Sequence, residues 1–127
     1  MSTVALTATS FARTITADGI VLVDFWASWC RPCRAFAPIY ERVSQRHPDI
    51  TFGKVDTEAE PALSEAAHIS SSPTVIAFRD GILVFAQPGA LPENALEEVL
   101  RALRELDMNG LRRASAQRTR SADRVAS

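Results

Sequence analysis

Cys30 and Cys33 are the only cysteines in a chain of 127 residues, and two residues separate them. A bridge across so short a loop constrains the unfolded chain little. Stapling is therefore a weak reason for the pair, and reversible thiol–disulfide chemistry a stronger one. Half of a zinc site is the competing reading, and it needs two further ligands. The chain has two histidines, His47 and His68, and neither has cysteine-like partners nearby in sequence. No metal is expected.

The pair lies between an apolar, β-branched-rich run, Ile20–Trp26, and a stripe of Phe36, Ile39, Tyr40 and Val43 at helical spacing. The pattern puts the cysteines after a strand covered on both faces and at the start of a helix. A helix start offers unpaired N–H groups and a partial positive charge. Both stabilise a thiolate, the nucleophile of disulfide exchange, which makes Cys30 the candidate attacking group. A spacing of three keeps Cys33 on the same helical face, one turn later. Pro32 fits the first turn and stiffens the loop, whereas Pro38 should cost the helix one hydrogen bond and kink it. Asp24 interrupts the apolar strand. A buried carboxyl with a raised pKa is a candidate proton carrier near neutral pH, and a carboxyl hydrogen-bonded within the fold is the alternative.

Other segments must hold this centre in place. Residues 4–6 read as a short strand. Thr9 or Ser10 caps a first helix bearing Phe11 and Ile15. Residues 50–56 form a second central strand, with Phe52 and Lys54 on one face. Residues 61–67 make a short Ala-rich helix. Residues 74–78 and 82–86 are strands joined through Arg79-Asp80-Gly81, a hairpin signal. Pro92 opens a last helix with Leu96, Val99, Leu100 and Leu103 on one stripe, and Asn109-Gly110 ends it. The order β-α-β-α-β-α-β-β-α predicts an α/β fold with a central mixed β-sheet flanked by helices on both faces.

Residues 1–107 carry nine Lys/Arg against fourteen Asp/Glu, and residues 108–127 carry five Arg against one Asp. The expected division is one domain over residues 1–110 and a basic, disordered tail over 111–127, too poor in apolar residues to offset its ordering entropy. Within that tail Arg112-Arg113-Ala114-Ser115 resembles a basophilic kinase site, a short motif that chance supplies often. The first ten residues lack a basic n-region and a long apolar core, so no secretory signal is read there. Ile20–Trp26 is too short to span a bilayer. The cytoplasm is the default location, with no membrane and no nucleic-acid partner.

Several separate stretches in order resemble the thioredoxin family, particularly its bacterial and actinobacterial members. They are Val21-Leu-Val-Asp-Phe-Trp-Ala-Ser-Trp-Cys-Arg-Pro-Cys33, Phe52-Gly-Lys-Val-Asp56, Ser72-Pro73-Thr74 and Pro88-Gly89-Ala90-Leu91. The resemblance covers about residues 4–107 and implies the thioredoxin fold and protein dithiol–disulfide exchange. It implies Cys30 as attacking thiolate, Cys33 as buried resolving thiol, and Asp24 with Lys54 as the proton-transfer pair. It implies Pro73 as a cis-proline presenting the Ser72 backbone to clients, Trp29 as a shield for the disulfide, and Gly89 as a point of close approach. It further implies a chain that binds no cofactor and is recycled by thioredoxin reductase drawing on NADPH, with disulfide-containing proteins as substrates. A monomer is expected.

Two positions depart from the commonest family pattern. Arg31 stands where Gly is usual, and a cation there favours the Cys30 thiolate and a slightly more oxidising potential. Ser72 stands where an apolar residue is usual and makes the docking surface more polar. These departures leave a dedicated redox partner or oxidant with a narrow client set as the alternative to a general reductase. A non-catalytic binding module is disfavoured because both cysteines are intact.

Overall fold

A computed structural model describes residues 2–114. Five strands alternate with four helices: β1 (Thr3–Ala5), α1 (Ala8–Ile15), β2 (Ile20–Trp26), α2 (Arg31–Arg46), β3 (Thr51–Asp56), α3 (Pro61–Ala66), β4 (Thr74–Arg79), β5 (Ile82–Pro88) and α4 (Glu93–Arg104). The sheet runs β1-β3-β2-β4-β5. β1, β3 and β2 are parallel, whereas β4 and β5 are antiparallel to their neighbours. The sheet is mixed, as the element order predicts.

Both faces of β2 are covered. Leu22 on one face packs with Phe36, Tyr40 and Val43 of α2 and Leu96 and Leu100 of α4. Val21, Val23 and Phe25 on the other pack with Phe11 and Ile15 of α1 and Leu63 of α3. This explains why β2 reads as a continuous apolar run rather than an alternating one. β3 lies close under α2. The Tyr40 hydroxyl donates to the Gly53 carbonyl at 2.9 Å, and a Cβ on Gly53 would meet the Leu6 side chain at 2.5 Å.

Two local expectations are corrected. The first helix is capped by Thr7 rather than Thr9 or Ser10, and Ser10 accepts the Thr7 N–H from inside the first turn. α4 ends at Arg104 with Glu105 as its C-cap, not at Asn109-Gly110. There Arg79 of β4 supplies the missing donors: its Nη1 reaches the carbonyls of Leu103, Arg104 and Leu106 at 2.6, 3.2 and 3.3 Å. Asn109 and Gly110 fall instead within a further helical stretch, residues 108–114. Asp107 opens it by accepting the Gly110 N–H, and Arg112 ties it to Asp80 at the hairpin turn at 2.9 Å. Of the segment expected as a tail, residues 115–127 lie outside the described residues. α2 runs on for two turns past Pro38.

Candidate functional site

β2 delivers the cysteines to one end of the sheet. Phe25 pairs with Thr74 across β2 and β4, and Thr74 pairs with Pro88 across β4 and β5. The chain leaving β2, the chain entering β4 and the chain leaving β5 therefore meet. The Ser72–Pro73 bond is cis, and the Pro73 carbonyl accepts the Gly89 N–H at 2.7 Å. Gly89 has φ +96° and nothing within 4 Å of a Cβ built on it, so its backbone is open to an approaching chain.

Cys30 is the N-cap of α2, Pro32 lies in the first turn, and Arg31 is exposed beside them. Cys30 and Cys33 are bonded as a disulfide with Cα atoms 5.3 Å apart. The Cys33 N–H donates to Cys30 Sγ at 3.1 Å, so an orphan helix donor points at the first sulfur. Both cysteines are buried against Ala27 and half-buried Trp26, while Trp29 stands 70 % exposed.

Cys33, Asp24 and Lys54 line one crevice of about 130 Å³ together with Trp26, Ser28 and Arg34. Asp24 and Lys54 are register partners on β2 and β3. Asp24 is 1 % exposed, and its Oδ1 has no hydrogen-bond partner among the described residues. Burial pushes its carboxyl up from 3.8 to about 7, and the positive charge of Lys54 pulls the other way. Lys54 is the chain's single lysine, and its Nζ lies 5.4 Å from the centre of the Trp26 ring.

The loop after β3 fixes the loop that carries the cysteines. Thr57 donates from both its N–H and its hydroxyl to the Trp26 carbonyl, at 2.9 and 3.0 Å. Glu58 accepts from the Ser28 N–H and hydroxyl, at 3.2 and 2.7 Å. Sequence reasoning missed Thr57, Glu58 and Ser28 because the contacts join segments 30 residues apart. Trp29, Ser70, Ser71 and Ser72 line a second hollow of about 150 Å³ with Thr57 and Ile69. Among the described residues no cluster of three or more His, Cys, Asp or Glu is arranged to hold a metal.

The family model for thioredoxin matches residues 2–102, a stretch that contains both cysteines and the Ser72-Pro73 turn. The chain belongs to the thioredoxin family. It is 53 % identical over 116 residues to a thioredoxin of Streptomyces coelicolor, covering 91 % of this chain and 87 % of that one. To thioredoxin 1 of Synechococcus elongatus it is 38 % identical over 98 residues, covering 76 % and 92 %. A solved chain from work on the thiol resolving mechanism in yeast mitochondrial 1-Cys peroxiredoxin, via glutathione/thioredoxin systems, aligns with TM-score 0.72. It shares 29 % identity and covers 83 % of this chain and 96 % of that one. Like other thioredoxins, the protein is a thiol–disulfide oxidoreductase, with Cys30–Cys33 as its redox centre. No helix among the described residues is long and apolar enough to cross a membrane.

Proposed function

We propose that this chain reduces disulfides in client proteins of the cytoplasm as a monomer, and that thioredoxin reductase returns it to the dithiol form with electrons from NADPH. The observation that carries the reading is the cysteine pair at the start of α2, beside the exposed Trp29 and the Ser72-Pro73 turn.

In the reduced protein, Cys30 attacks one sulfur of the client disulfide. The client S–S bond breaks, its electron pair leaves on the other client sulfur, and a Cys30–client disulfide forms. Helix N–H groups such as that of Cys33 stabilise the Cys30 thiolate before attack. Cys33 then gives its proton to Asp24 and attacks Cys30 Sγ. The Cys30–client bond breaks, and the client sulfur that Cys30 had attacked leaves as a thiolate. Two electrons have passed to the client, and the Cys30–Cys33 bond closes. Lys54 tempers the cost of charging Asp24. Ser72 and Gly89 offer main-chain groups to the client, Pro73 shapes that turn, and Trp29, Arg31 and Pro32 border the sulfurs.

The test is a trap. A Cys33→Ser variant should accumulate mixed disulfides between Cys30 and client proteins, and a Cys30→Ser variant should not. Equal trapping by both would refute the order of attack.

A further inference from the structure

The hollow beside Trp29 does not end at the serine turn. It shares Ile69, Ser70 and Ser71 with a second depression of about 170 Å³ that continues over Thr74, Gln87 and Pro88. That depression in turn shares Ala67, His68, Ile76 and Ala86 with a trough of about 480 Å³. Phe11, Ile15, Leu63, Phe78 and Leu83 line the trough, so its walls are apolar where the first hollow is rich in hydroxyls. Trp29 and Leu83, at 70 % and 56 % exposed, are two of the three most exposed large apolar side chains among the described residues. They stand at opposite ends of this groove. β5 borders it and pairs only with β4, so its outer edge is free among the described residues.

We propose that the apolar trough at the far end of the groove is a distal client-docking subsite, which takes a large apolar side chain of the client well away from the client cysteine. The proposal rests on the reading that Cys30 attacks client disulfides. Three things point to a client rather than another occupant. The groove is continuous with the surface where the reacting sulfurs must meet. Its polarity changes along its length, from serines near the cysteines to aliphatic and aromatic walls at the far end. An extended segment is also the shape that fits beside a strand edge. From Pro88 back to Leu83 the strand covers five steps, about 17 Å at the rise of a β-strand. A client in the same conformation needs about five to seven residues between its cysteine and the apolar anchor.

The experiment uses the full-length chain, pre-reduced, against Gly/Ser-rich peptides linked in pairs through a disulfide. One series carries Phe six residues from the cysteine on either side, a second carries Ala there, and a third carries Phe only two residues away. Single-turnover rate constants should favour the distant Phe over Ala by about tenfold, the scale expected from burying one aromatic side chain. The near Phe should give no such gain. Leu83→Glu and Ala86→Glu each place a charge in the trough at a solvent-exposed position. Both should erase the preference while leaving the Ala peptide and a small aromatic disulfide reagent reduced at the original rate. Equal rates for distant Phe and Ala in the unmodified chain would overturn the proposal. So would a preference that survives both substitutions. A dimer in sedimentation that depends on Leu83 would assign the trough to a second copy of this chain instead. Failure to reduce the small reagent would count against the proposed function itself, which separates the two failures.

Discussion

The carboxyl of Asp24 has almost no contact with solvent, and its Oδ1 finds no hydrogen-bond partner among the described residues. Ionising it therefore costs more in the fold than in the unfolded chain. Its pKa rises from 3.8 to about 7 on folding, so between those values the native state holds a proton that the unfolded state has lost. Stability then falls as pH rises through that window and levels off above it. An Asp24→Asn variant escapes this loss. In urea unfolding of the oxidised protein, its stability relative to the parent should improve by about 2 to 3 kcal/mol between pH 5 and pH 8. A constant difference would show that the carboxyl is not charged at a cost. The same variant should slow client release and lose the inflection near neutral pH in the reduction rate, since in the proposed mechanism Cys33 would lack its proton acceptor. Arg31 acts more weakly, because it is exposed. At about 7 Å in water its charge favours the Cys30 thiolate by roughly 0.6 kcal/mol, or on the order of 10 mV. Arg31→Gly should lower the potential by that much against a glutathione couple, and an unchanged or higher potential would contradict it.

Among the elements, those built around β2 were legible because their patterns are local. The apolar run of β2, the stripe on α2 and the Asp80-Gly81 turn each announce themselves within a few residues. The cysteine spacing and the strand-to-helix context marked the centre of the site for the same reason. The errors came where two segments distant in sequence decide the outcome. Thr7, Thr9 and Ser10 are all capping types, so residue type alone does not choose among them. Asn109-Gly110 has the chemistry of a helix end, yet α4 stops five residues earlier because Arg79 of β4 waits for its last carbonyls. The Thr57 and Glu58 clamps on the cysteine loop were invisible for the same reason. The Arg79 contact is testable. Arg79→Ala leaves three carbonyls without that donor and should destabilise the fold by about 1–3 kcal/mol, read as a lower urea midpoint with an unchanged rate of disulfide reduction. A midpoint equal to the parent's would mean water replaces the guanidinium at no cost.

At the scale of the molecule, the redox centre and the Arg79–Asp80 contacts lie at opposite ends of the sheet. The disulfide end of the sheet holds the cysteines, Asp24, Lys54 and the serine turn, whereas Arg79, Asp80 and residues 108–114 lie around the hairpin turn at the other. Removing residues 111–127 deletes the Arg112–Asp80 pair, whose partners are partly exposed. Such pairs contribute about 0–1 kcal/mol, so the truncated chain should unfold at nearly the same urea concentration and reduce disulfides at the same rate. A large loss of activity would give those residues a part in catalysis. The central claim, that this thioredoxin-family chain is a general protein-disulfide reductase served by thioredoxin reductase, is tested most directly by insulin reduction with NADPH and the reductase, beside a Cys30→Ser control. Sustained NADPH oxidation and insulin precipitation that the control abolishes is the predicted result. A folded protein that gives no turnover would contradict it and leave a specialised redox partner in its place.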